Sequence, residues 1–223
     1  MSDLCVRLHR QFEQLPVFSF PFEDSAIPLN GIYALYEAGE TAHGANRIVR
    51  VGTHTGNNQL RSRLKQHFVN EKKDRSIFRK NIGRALLNRD NAPFLSQWEI
   101  DLTTSEAKRK HGPAIDRVKQ AAVEHMVTEV IQKRFHFVVF RVDEKENRLD
   151  IESKIISTIS RCKDCGPSQQ WLGLHSPKHK IRESGLWLVN ELYGEPFSET
   201  GFIELERAVR KSQNGEYGHP MDH

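Results

Sequence analysis

Three pieces near the front of the chain most constrain its fold: Gly31-Ile32-Tyr33, Arg47-Ile48-Val49-Arg50-Val51-Gly52, and Leu60-Arg61-Ser62-Arg63-Leu64-Lys65-Gln66-His67. The first two are rich in β-branched and aromatic residues. They read as strands at 32–36 and 48–52, paired as a hairpin across a long turn-rich connection, 38–46, that holds Gly39, His43 and Gly44. The third piece reads as a helix over 59–68. Arg63 and His67 stand four positions apart on it, so they project from one face and can engage the same group.

A helix over 77–88 follows, with Asp74 and Ser76 as candidate caps. Alternation of Phe94, Ser96, Trp98 and Ile100 predicts a short strand over 94–102, and the polar stretch 103–113 reads as a loop. Apolar residues from Ile115 to Ile131 recur at helical spacing, predicting an amphipathic helix over 114–135. His136 to Val142 reads as a buried strand, and 148–160 as a helix with a stripe of Leu149, Ile151, Ile155, Ile156 and Ile159. A loop around Trp171, a helix over 181–193 and a charged C-terminal helix complete the reading. Residues 1–27 form a proline-broken N-terminal lead-in, 28–194 the main domain with an insertion at about 89–134, and 195–223 a C-terminal helix and tail.

Charge distribution says more than the net charge of +4. Residues 1–46 carry two Lys/Arg against six Asp/Glu, whereas 47–90 carry twelve against three. A basic block beside the Arg63/His67 helix suits a polyanion, because each neutralised phosphate releases counterions and steers encounter. No apolar run approaches membrane-spanning length, so no membrane partner is expected. Three cysteines do not make a disulfide framework, and a reducing, cytoplasmic compartment is the expectation.

Taken in order, Gly31-Ile-Tyr33, Val51-Gly52, Arg63 with His67, and Leu149-Asp-Ile-Glu152-Ser-Lys-Ile-Ile156 resemble the motifs of the GIY-YIG nuclease family. Pro167-Ser-Gln-Gln-Trp-Leu-Gly173, His175-Ser-Pro177 and Ser184-Gly-Leu-Trp187 resemble a subtype of it. The resemblance implies an α+β fold, with a small, mainly antiparallel three-stranded sheet flanked by helices, a helical insertion and C-terminal helices. It implies a metal-dependent endonuclease acting on DNA. Its catalytic residues would be Tyr33, Arg63, His67 and Glu152, with Glu152 holding one Mg²⁺ or Mn²⁺. Arg50 stands where the family's second triplet has its tyrosine. A guanidinium has no accessible deprotonated form at neutral pH, so Arg50 is a site residue with a changed role, holding phosphate or developing charge.

Each residue type suits one need of phosphodiester hydrolysis. Tyr33 would be the general base or proton relay, and His67 would accept or pass on its proton. Arg63 would grip the scissile phosphate with its planar donors. A lone carboxylate suffices for Mg²⁺ when water and substrate oxygens complete the shell. Arg61, Lys65, Arg79, Lys80 and Arg84 are read as nucleic-acid contacts. Glu124 and Asp150 are rival carboxylates to Glu152, and Trp171 and Trp187 are read as core anchors ahead of base-stacking platforms.

Two other readings stay open. One is a nucleic-acid-binding protein of the same fold that has lost cleavage, with Arg50 as its clue. The other is an interaction module held by zinc on Cys162, Cys165, His175 and His179; the nuclease resemblance accounts for the span between them, and zinc is the disfavoured reading. Site selection would fall to the insertion, to a protein partner, or to a homodimer that places two sites for double-strand cleavage.

Overall fold

The computed structural model describes residues 2–213, so the expected tail beyond 213 lies outside the described residues. Along the chain run α1 (Ser2–Glu13), β1 (Phe18–Ser19), β2 (Ile32–Ala42), β3 (Ala45–Gly52), α2 (Leu60–Phe68), α3 (Ile77–Arg89) and α4 (Leu95–Glu99). There follow α5 (Ser105–His111), α6 (Arg117–Arg134), β4 (Phe135–Phe140), α7 (Lys145–Ser160), α8 (His179–Ser184) and α9 (Glu199–Gln213). The sheet is antiparallel, in the order β1-β4-β2-β3. It has four strands instead of three, because the two-residue β1 adds to the edge of β4.

Several elements differ from the sequence reading. β2 and β3 extend to a two-residue turn, His43-Gly44, with both residues at positive φ (56° and 76°), the twist-matched hairpin geometry. The segment read as a strand at 94–102 is α4. Phe94 and Trp98 stand four apart as well as in alternation, a short pattern that fits both periods. The Trp98 indole donates to the Lys80 carbonyl at 3.0 Å and lies where a Cβ on Gly83 would be, 2.3 Å from its ring, so a small residue in α3 lets α4 dock. The polar loop holds α5, capped by Thr104. The helix expected over 181–193 stops at Gly185, which takes the left-handed conformation at φ 68°. Trp187 then lies along β3, donating its backbone N–H to the Val49 carbonyl at 2.8 Å.

β2 sorts its residues between two cores by strand alternation. Ile32, Ala34 and Tyr36 join α1, α7 and α9 through Leu8, Phe12, Ile155, Ile159, Phe202 and Leu205. Tyr33 and Leu35 face α2, α3 and α6 through Leu64, Phe78, Ile82 and Val127. On β3 the register slips between Leu35↔Arg50 and Tyr36↔Ile48, leaving Val49 extra. This bulge turns Arg50 to the same side as Val49, its guanidinium 5.4 Å from the centroid of the Phe78 ring.

The basic block is largely inside the protein. Arg47, Arg50, Lys73, Arg79, Lys80 and Arg84 are buried, half of the twelve cations between 47 and 90. Arg79 is wholly buried: it pairs with Glu124 at 2.9 Å and donates to the His67 carbonyl and the Thr128 hydroxyl. Lys80 lies against Asp74, and Arg84 makes a two-pronged pair with Glu99. Burial withdraws Arg79, Lys80 and Arg84 from the surface a polyanion would touch. It also removes Glu124 as a rival metal carboxylate. Breaking a buried pair leaves an uncompensated charge, so Arg79→Ala should lower unfolding free energy by about 3–5 kcal/mol. Urea denaturation checks this; an unchanged midpoint would return Arg79 to the surface.

Candidate active site

Tyr33 pairs with Gly52 across the hairpin, and its ring passes over that glycine. A Cβ on Gly52 would stand 2.2 Å from the Tyr33 hydroxyl. Gly31 is equally confined, its would-be Cβ 2.3 Å from the Phe140 carbonyl on β4. The two motif glycines therefore allow close backbone and ring approach; neither is required here for positive φ. The Tyr33 hydroxyl lies 2.7 Å from His67 Nε2, and His67 Nδ1 lies 2.7 Å from the Ser76 hydroxyl. Ser76 caps α3 by accepting the Arg79 N–H at 3.2 Å, so the relay is anchored to a helix terminus.

Burial, reinforced by Arg63, Arg50 and Arg79, holds the His67 pKa well below the ordinary 6.5. The ring is neutral at physiological pH. With its proton on Nδ1 it donates to Ser76, and Nε2 accepts the Tyr33 proton. The order Tyr33, His67, Ser76 is thus a chain along which a proton can move.

Glu152, on the first half of α7, accepts the Thr53 N–H at 3.1 Å and makes no ion pair among the described residues. Burial raises its pKa, and the positive charges of Arg50 and Arg63 oppose that rise. The same two arginines act on His67, to which the Tyr33 hydroxyl is bonded. Arg50 spends Nη1 on the Trp187 carbonyl at 2.6 Å, while its buried Nε has no partner. Arg63 is half-buried and lines a cleft of about 370 Å³ with Thr53, His54, Thr55, Gln59, Ser62 and Gln66. A larger cavity of about 830 Å³, between Arg141 and Ser212, is lined by Asp150 and Ile151 but by none of Tyr33, Arg50, Arg63, His67 and Glu152.

Asp150 is exposed and pairs with Lys154 at 2.7 Å, and Arg148 is held by the carbonyls of Val142 and Asp143. The rival carboxylate on α7 is thereby held by a lysine, and neither Arg148 nor Lys154 pairs with Glu152. Arg61 is half-buried with Nε on the Ile27 carbonyl, and Lys65 is exposed and paired with Asp24; both stand on α2, outside the lining of the cleft. Trp171 and Trp187 are buried and both donate to Glu37 Oε2, at 2.9 and 3.1 Å, as core anchors. The set Cys162, Cys165, His175 and His179 does not assemble. His175 and His179 are exposed, and His179 pairs with Glu183.

Sequence reading missed Thr53 and His54. His54 Nδ1 donates to the Gly56 carbonyl at 2.6 Å, and Nε2 accepts the Gly31 N–H at 3.4 Å. Thr53 donates its hydroxyl to the Gly31 carbonyl at 2.7 Å. Their position directly after Gly52 was the available signal, since a strand end beside a motif glycine reaches the site rim.

A strand-borne tyrosine, an arginine and a histidine returning on the next helix, and a glutamate from a later helix together define an α+β domain built around one polar site. A model of the GIY-YIG domain matches residues 3–215, and the chain belongs to that family, whose members are typically nucleases. No curated protein and no solved structure matches it.

Gly52→Ala must displace the Tyr33 ring and should cost about 1–3 kcal/mol by overpacking, read in urea denaturation. The His67 pKa also sets a pH dependence. Below pH 6.5 the unfolded chain binds a proton that folded His67 refuses. Its contribution is therefore intact above 6.5 and lost as pH falls. Burial of Glu152 acts in the opposite sense, losing stability as pH rises above its ordinary 4.5. His67→Gln should flatten the fall in stability between pH 6.5 and 5, measured by denaturation across pH; an unaltered slope would show that His67 is not held neutral.

Proposed function

We propose that the protein is a metal-dependent endonuclease that hydrolyses DNA phosphodiester bonds. The observation that carries the reading is the Tyr33–His67–Ser76 relay lying within the influence of Arg50 and Arg63, the same two charges that act on Glu152. Glu152 fits a divalent cation: one oxygen is fixed by Thr53, no described cation pairs with it, and burial penalises its charge. A bound Mg²⁺ or Mn²⁺, its shell completed by water and phosphate oxygens, would supply charge stabilisation at the phosphate.

The chain's own residues do the rest. Arg63, on the wall of the cleft, grips the scissile phosphate through two donors. Arg50, pinned by Trp187, contributes fixed positive charge from below. Tyr33 takes a proton from the attacking water as its own passes to His67 Nε2, with Ser76 holding the far side of the ring. Tyr33 is completely buried, so nucleic-acid binding must open the cleft floor onto its hydroxyl. Arg61 and Lys65 on α2 extend the contact along the backbone.

A second reading, a DNA-binding domain without cleavage, is favoured by that same burial of Tyr33 and His67 and by the commitment of Arg50 to Trp187. Nicking of supercoiled plasmid with added Mg²⁺ or Mn²⁺ separates the two. The nuclease reading expects metal-dependent nicking that falls by about 10²–10³ in Arg63→Ala and is abolished in Glu152→Gln. Glu152→Gln should keep its fold, because it removes a carboxylate whose charge burial disfavours. Binding without nicking on supercoiled, branched and single-stranded DNA would establish the second reading.

A further inference from the structure

On the opposite face of the sheet, four side chains from three distant segments meet in one place. Cys5 and His9 stand four apart on α1 and share a face; His43 comes from the β2–β3 turn and Cys165 from the loop after α7. One donor atom from each lies within 4.8 Å of all the others. Cys5 Sγ is 3.4 Å from Cys165 Sγ, His43 Nε2 is 3.1 Å from Cys165 Sγ, and His9 Nε2 is 3.9 Å from Cys165 Sγ. Donors about 2.0–2.3 Å from a common tetrahedral centre stand about 3.3–3.8 Å apart, which these separations bracket.

The surroundings favour a metal over a chance meeting of apolar thiols. His9 Nδ1 donates to the Cys5 carbonyl at 2.9 Å, the usual orienting bond of a metal-bound imidazole, which leaves Nε2 as the acceptor; it lies 3.4 Å from the Ile48 N–H, a long bond that a metal would replace. His43 stands in the two-residue hairpin turn, at φ 56°, which delivers its ring to the cluster. Cys5, His9 and Cys165 are buried, where a dication would balance two thiolates exactly as two protons leave. The site lies in the core shared by α1, α7 and α9, away from Tyr33, and its four protein ligands close the shell, as structural zinc sites do.

We propose that Cys5, His9, His43 and Cys165 bind one structural Zn²⁺ that ties α1, the hairpin tip and the loop after α7 together. Cys162, with Sγ 3.5 Å from His43 Nε2, falls outside the group whose donors all lie within 4.8 Å of one another and is not assigned as a ligand. This assignment replaces the Cys162, Cys165, His175 and His179 set, and it stands whether or not the protein cleaves DNA.

The test is elemental analysis and X-ray absorption on the full chain, purified reduced and without chelator. One zinc per chain is expected, with two sulfur neighbours at about 2.3 Å and two nitrogens at about 2.0 Å. His43→Ala, at a half-buried turn, should keep its helical circular dichroism while losing zinc, and Cys165→Ser should also lose it. Cys162→Ser and His175→Ala should retain it. Co²⁺ added to the metal-free protein should give the absorption bands of a tetrahedral thiolate site. Folded, reduced protein that takes up neither Zn²⁺ nor Co²⁺ would overturn the proposal, as would a Cys5–Cys165 disulfide or zinc that survives His43→Ala. Chelators would strip this ion as well, so the metal requirement of nicking is read by adding Mg²⁺ to chelator-free protein.

Discussion

The contact of the Tyr33 ring with the bare backbone of Gly52 sets the position of the whole site. A side chain at 52 would occupy the place of the hydroxyl, which could then no longer meet His67. His67 in turn is held by Ser76, and Ser76 by its cap on α3. A β-hairpin and two helices are thereby tied through three buried polar side chains. Such a network rigidifies a site when fully satisfied and is costly when any member is missing.

Buried charge serves position here more than attraction. Glu37 accepts the indoles of Trp171 and Trp187, and Glu40 holds Arg47 at 2.6 Å together with Ser168. These bonds clamp the segment from Pro167 to Gly173 onto β2, while Gly173 makes room for the Trp171 ring. Arg47 also reaches the Gly185 carbonyl and Arg50 that of Trp187, so β3 is bound to the later stretch 185–187. The motif around Trp171 thus acts as a brace for the hairpin that carries Tyr33.

The sheet separates two kinds of chemistry. Its α2–α3 face carries the relay and opens to the cleft beside Arg63; its α1–α7 face carries the thiol and imidazole cluster. α7 takes part in both, because its later residues pack under the sheet while Glu152 reaches past the strand end to Thr53. Ordering of that helix by the cluster would therefore also order the carboxylate of the proposed active site.

Local pattern alone determined the hairpin, α2, α3, α6, β4 and α7, because each has a sustained period or a cap within a few residues. The company of Tyr33, Arg63, His67 and Glu152 was also legible, through the order of short motifs. Periodicity could not separate helix from strand at 94–102, where five residues fit both, and α1 went unread in a segment judged by its prolines. The basic block looked like a surface because sequence shows charge without partners; only packing brought Glu124 to Arg79 and Glu99 to Arg84. The grouping of Cys5, His9, His43 and Cys165 was decided by tertiary structure for the same reason. Contacts across up to 160 residues depend on how strands and helices stack, and nothing in the local spacing of those residues encodes that.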